Sequence, residues 1–149
     1  MSVKIYIPGD SGAVAVGADR LAAKLETELK KRDLDAKIIR NGSRGLYWLE
    51  PMVEVETKSG RVAYGPVKSS DLDGRLDAGL LDGAEHPLSL GLADEIPFLK
   101  RQTRLTFARC GITDPLSLGD YREQGGLTGL TNAVAMAPEA IVAQVTESG

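Results

Sequence analysis

The sequence predicts an α/β chain: a small mixed sheet with flanking helices, followed by an extended linker and short helices. Three observations predict it. A β-branched run, Val3-Lys-Ile-Tyr-Ile7, is followed by a glycine-rich turn and a long amphipathic stretch. Two alternating segments face each other across Lys58-Ser59-Gly60. Beyond about residue 115 the pattern turns to short helical periods. The 149 residues are 42% hydrophobic and 26% charged, enough for a packed core.

Taken in order, Val3 to Ile7 is a strand that Pro8 ends. Gly9 to Gly12 is a turn-rich loop. A helix is expected from about Ala15 to Lys31, with Ala18, Leu21, Ala22, Leu25 and Leu29 on one stripe. At 1.5 Å per residue it would run roughly 25 Å. Ala36 to Ile39 is a second strand, and Asn41-Gly42 opens a loop that reaches Pro51. From Met52 to Thr57, Val53 and Val55 alternate with Glu54 and Glu56, which predicts one buried and one solvated face. Arg61 to Tyr64 returns as the hairpin partner. Ser70 or Asp71 caps a helix expected to reach about Leu81. The order β-α-β-β-β-α over residues 1–82 fits a thioredoxin-like layer.

Gly83, Pro87, Gly91 and Pro97 break regular structure, so 83–99 reads as a linker and 100–149 as a separate helical region. Thr103 to Phe107 reads as extended. Ser117 and Asp120 mark one helix start, Leu127 to Ala135 forms a second, and Pro138 suits the first turn of a third. Three such short helices do not obviously close a core.

Composition excludes several functions. Net charge is −3 and aromatic residues are few, which disfavours a nucleic-acid surface. No apolar run is long enough to span a membrane, and no leader-like segment opens the chain. A single cysteine fits a reducing, cytoplasmic home. One Cys and one His do not build a zinc or iron–sulfur site, and a lone thiol performs no dithiol exchange. Gly12 and Gly17 have phosphate-loop spacing, but Ala18-Asp19 stands where Lys and Ser or Thr are needed. Asp71, Asp73 and Asp77 miss the calcium-loop pattern and read as a helix start. Lys100, Arg101, Arg104 and Arg109 form a basic stretch. Arg104 and Arg109 are its expected partner contacts, because guanidinium groups make planar paired bonds.

The segments Cys110-Gly-Ile-Thr-Asp-Pro-Leu-Ser-Leu-Gly-Asp-Tyr121, Gln124-Gly-Gly126, Met136-Ala-Pro-Glu139 and Val145-Thr-Glu-Ser-Gly149 resemble the opening of the Complex I flavoprotein subunit family. That family includes diaphorase subunits of bidirectional hydrogenases and NAD-dependent formate dehydrogenases. Trp48-Leu-Glu-Pro-Met-Val53 and Glu95-Ile-Pro-Phe-Leu-Lys100 look most like the formate dehydrogenase beta subunit. The resemblance implies a longer parent in which FMN, NAD and a four-cysteine [4Fe-4S] site lie past Gly149. It also implies that the activity belongs to the parent and not to this chain.

Residues 1–82 resemble the thioredoxin-like [2Fe-2S] ferredoxin domain fused ahead of such subunits. That domain holds its cluster with two cysteine pairs. By position the first pair falls on Pro8 and Ala13 and the second on Ser43 and Tyr47, and none of the four is cysteine. The resemblance therefore implies a docking module for other subunits of a formate dehydrogenase complex, including a [2Fe-2S] subunit. The loop Asn41 to Glu50 presents Leu46, Tyr47, Trp48 and Leu49, as a partner surface or as filling for the space a cluster would take. The alternative is an independent anion-binding or small-ligand α/β domain that uses the Gly9–Gly17 loop with Arg40 or Arg44.

Overall fold

The computed structural model describes residues 2–149. They form two compact units, one ending at Asp114 and one spanning Pro115–Gly149.

In the first unit, β1 (Val3–Tyr6) leads through Pro8 to a short helix α1 (Ser11–Ala15) and then α2 (Ala18–Lys31). The expected single helix is split because Gly17 adopts φ +107, a left-handed conformation that suits glycine. β2 (Ala36–Ile39) runs parallel to β1 with Val3 opposite Ala36. β3 (Val53–Thr57) and β4 (Gly60–Tyr64) make the expected hairpin, and β3 pairs antiparallel with β1. A fifth strand, β5 (Ser89–Leu92), pairs with β4, so the sheet order is β2-β1-β3-β4-β5. The fold class is the mixed sheet with flanking helices that the sequence predicts.

Alternation divides the sheet into two covered faces. One carries Ile5, Val53, Val55 and Tyr64 against Leu21, Leu25 and Leu29 of α2 and Leu72 of α3 (Leu72–Asp77). Each fully buried side chain of this size contributes roughly 1.5–3 kcal/mol over leaving it in water. The other face carries Met52 and Ala63 against Leu46, Ala93, Ile96 and Leu99. The helix α3 ends at Asp77 rather than near Leu81, since Gly79 turns left-handed at φ +85 and Leu80–Asp82 tightens to a 3-10 turn.

Residues 83–99, expected as a linker, belong to the sheet unit. The backbone of Ser89–Leu92 is satisfied by the edge of β4, and Tyr64 Oη donates to Ala84 O at 2.7 Å. The helix α4 (Pro97–Lys100) follows, with proline in its first turn. The next segment, 101–112, does not start a new unit either. Turn hydrogen bonds, such as Ala108 N to Leu105 O and Cys110 N to Phe107 O, replace the extended run expected at Thr103 to Phe107. This strap is pinned to the sheet unit by Arg61, whose Nη1 and Nη2 donate to Gly111 O and Ile112 O, each at 2.8 Å. The compact unit therefore continues past the boundaries expected at 82 and 99.

In the second unit, α5 (Leu118–Glu123) is capped by Ser117, whose Oγ accepts from Asp120 N. α6 (Thr128–Val134) and α7 (Pro138–Ser148) follow, and α7 starts on the expected proline. No side chain of 115–149 is buried, so the three helices close no core of their own. Among the described residues no helix is long and apolar enough to cross a membrane.

Candidate functional site

Two loops meet at the ends of β1 and β2. The first runs from Pro8 to Ala13, the second from Asn41 to Glu50. Asp10 joins them. Its Oδ1 accepts from the backbone of Gly12 (3.0 Å) and Ala13 (3.3 Å), which caps α1, and its Oδ2 accepts from Ser43 N at 2.9 Å. Gly9 N donates to Asn41 O at 2.9 Å. A Cβ at Gly12 would lie 3.5 Å from the Tyr47 ring, so Tyr47 rests over the first loop.

The second loop is internally tied. Ser43 Oγ donates to Glu50 Oε1 at 2.8 Å and accepts from Gly45 N at 3.0 Å. Glu50 Oε2 accepts from Met52 N at 2.8 Å. Burial pushes the Glu50 carboxyl above its usual value, while the Met52 and Ser43 bonds pull it back.

The four positions matched to cluster ligands thus lie on the two facing loops. Pro8 and Ala13 are buried, Ser43 is half-buried, and Tyr47 is exposed. The expected partner contacts separate. Leu46 is a correction: it is 0% exposed and packs in the second core cluster with Met52 and Leu99, because the 3-10 turn Tyr47–Leu49 rotates it inward. That same turn sends Tyr47 and Trp48 outward, at 66% and 62% exposure. Trp48 meets Phe98 of α4 edge-on at 5.3 Å between ring centroids. Arg104 is half-buried and donates through Nη2 to Arg44 O at 2.9 Å, tying the strap to the loop. Arg109 is exposed on the same strap.

The sequence reading missed the ion pair beneath the loop. Arg44 Nε and Nη2 donate to the two carboxylate oxygens of Glu54 at 2.6 and 2.9 Å. Both side chains are almost fully buried, at 5% and 2% exposure. Glu54, expected on a solvated face, is instead covered by the loop, the residues around α4 and the strap. Burial pulls the Arg44 guanidinium down, but the bonds to Glu54 outweigh it and hold the group above its usual value. Arg61 lies 3.6 Å from Glu54 and stacks 3.4 Å over the Tyr6 ring. A signal existed: Met52 and Ala63 share the face of Glu54 and are both apolar.

Tyr6 Oη donates to Glu56 Oε2 at 2.9 Å. Burial pushes the phenol up to about 12, the Arg61 charge opposes this, and the Glu56 bond adds to it. The folded value exceeds the ordinary 10.0, so the neutral phenol supports the fold fully below pH 10. That support is lost as pH rises through about 12. Denaturation midpoints followed from pH 9 to 12 are expected to fall above pH 10, and Tyr6→Phe is expected to flatten the fall. An equally steep decline in the variant would contradict this account.

No family model and no curated protein matches the chain. Solved structures do. The wild-type thioredoxin-like [2Fe-2S] ferredoxin from Aquifex aeolicus superposes with a TM-score of 0.51 at 18% identity, over 60% of this chain and 97% of that one. A cysteine-to-serine variant of the same ferredoxin gives 0.50 at 20% identity, over 60% and 98%. The fold is that of a thioredoxin-like ferredoxin.

A thioredoxin-like ferredoxin fold raises the question of a [2Fe-2S] cluster. Such clusters are held by thiolates, usually four. Pro8 and Ala13 have no donor atom, and the Ser43 hydroxyl is committed to Glu50. The one thiol, Cys110, lies on the strap rather than in either loop. The donors present do not fit the cluster. The anion position that α1 would offer is already filled, because the Asp10 carboxylate takes its free N–H groups. Arg40 is likewise engaged, with Ile7 O, Pro8 O and Asp19.

Proposed function

We propose that this chain is a non-catalytic docking segment of the diaphorase subunit of an NAD-dependent formate dehydrogenase. Its thioredoxin-like ferredoxin unit holds a neighbouring [2Fe-2S] subunit near the flavin domain. The parent subunit carries FMN, NAD and a [4Fe-4S] centre in residues beyond this segment and passes electrons between them. A lone cysteine suits the reducing cytoplasm in which such a complex works.

One observation carries the reading: Tyr47 and Trp48 are presented outward by a loop whose own polar groups are bonded internally. A rigid loop exposing two large aromatic rings has little ordering entropy left to lose on binding, and such rings dominate interface energetics. The Trp48–Phe98 pair widens the apolar centre. The donor-poor loops support a holding role over a conducting one.

The test is co-purification of the chain with the [2Fe-2S] subunit, read beside iron and sulfide analysis of the chain alone. Trp48→Ala is expected to weaken the complex by about 2 kcal/mol or more, as loss of a central anchor does. Stoichiometric iron and sulfide on the isolated chain, or tight NADH binding by it, would sink the proposal.

A further inference from the structure

Residues 96–113 contain four cations, Lys100, Arg101, Arg104 and Arg109, and no acid, in a chain of net charge −3. The fold sets this stretch beside the aromatic pair. Phe98 of α4 meets Trp48, and Arg104 reaches Arg44 of the same loop. Beside the Arg104–Arg44 contact opens a cavity of about 360 Å³ whose lining includes Arg44, Asp94, Lys100, Arg104 and Cys110.

The cations are not equally available. Arg44 is neutralised by Glu54 and Asp94, and Lys100 pairs with Glu95. Arg101 and Arg104 differ. Their guanidinium groups donate to carbonyl oxygens, Arg101 to Pro97 O at 3.0 Å and Arg104 to Arg44 O at 2.9 Å. Neither makes an ion pair among the described residues. The carbonyl bonds fix where the two positive charges stand and leave them without a counter-charge. Phe98, Leu105 and Phe107 are exposed along the same stretch.

We propose that this face docks a protein surface that is acidic at its edge and apolar at its centre. The partner's apolar centre covers Trp48 and Phe98, and its carboxylates meet Arg104 at the cavity and Arg101 at the end of α4. Charge complementarity selects this partner: fixed, uncompensated guanidinium groups favour carboxylates arranged for paired bonds. Two such charges on a net-acidic chain are too few for a phosphate-backbone footprint. The proposal rests on the docking reading above and adds the chemistry of its partner.

The full chain is titrated calorimetrically with the purified [2Fe-2S] subunit at low and high salt. Arg101→Glu is expected to weaken binding about tenfold at low salt and to remove most of the salt dependence. Trp48→Ala weakens binding at both salts. Thermal melts of the Arg101→Glu chain should match those of the unsubstituted chain, because the side chain is exposed and its bond is to a surface carbonyl. If the unsubstituted chain binds and Arg101→Glu binds equally well, the charge proposal fails while docking stands. If the unsubstituted chain does not bind, both fail together. Tighter binding of a single-stranded oligothymidylate than of the subunit would also overturn it.

Discussion

Arg44→Met is expected to lower the stability of the sheet unit by about 3–5 kcal/mol, read as a shift of the urea midpoint at constant slope. The reason is what the substitution leaves behind. Glu54 is 2% exposed, and Arg44 supplies both of its short hydrogen bonds. Without Arg44 the carboxylate keeps only Arg61, at 3.6 Å, and Arg61 is already committed to Gly111 O and Ile112 O. A buried carboxylate in that position either stays charged and poorly paired or takes up a proton, and both cost stability. The double variant Arg44→Met with Glu54→Leu is expected to recover most of the loss, because replacing both members of a buried pair with apolar groups is often neutral or better. The two measurements separate the worth of the pair from the cost of orphaning Glu54. A double variant as unstable as the single one would mean that the loss comes from the other contacts of the Arg44 side chain, such as its bond to Asp94, and not from orphaning Glu54.

The sheet was legible where short-range pattern and long-range packing agree. The β-branched run at Val3, the stripe from Ala18 to Leu29 and the hairpin around Gly60 each carry a period of their own, and each is where expected. β5 carries none. Ser89-Leu-Gly-Leu92 is four residues with a glycine inside, and it is a strand only because the edge of β4 is free to pair with it. The same failure explains the boundary. Turn residues from Gly83 to Pro97 signal breaks in helix and strand, but they say nothing about whether the chain leaves the unit or folds back onto it.

The site divides along the same line. Pro8, Ala13, Ser43 and Tyr47 were placed by position, one pair in each of two loops, and nothing in those loops' sequences signalled that Asp10 would join them. The conformation of the second loop was not legible. Leu46 and Trp48 are two residues apart and look equivalent in sequence, yet one 3-10 turn buries the first and exposes the second. Glu54 was misplaced for a different reason. Alternation tells which residues share a face, not whether that face is covered, and its cover comes from residues 41–50 and 93–112, distant in sequence from the strand itself.

Gly111→Ala is expected to undock the strap. Gly111 sits at φ +82, where an L-residue with a Cβ pays roughly 1–2 kcal/mol. The added Cβ would also lie 2.2 Å from Arg44 Cγ and 3.2 Å from Arg44 Cδ. Arg44 has little room to retreat, since its guanidinium is held by Glu54 and Asp94 and its carbonyl by Arg104. Overpacking of this kind typically costs a further 1–3 kcal/mol. The cheaper escape is for the strap to lift, which strips Gly111 O from Asn41 and Arg61 together. Gly45→Ala provides the control. Gly45 has a similar φ of +86 but open space around its Cβ, so it carries the backbone strain without the collision. Tryptic cleavage after Arg104 and Arg109 should accelerate strongly in Gly111→Ala and only slightly in Gly45→Ala, with the rest of the sheet unit still resistant. Equal protection in both variants would mean that Arg44 yields to the methyl group, and that the strap is held by Arg61 and Asn41 rather than by a fit between Gly111 and the buried pair beneath it.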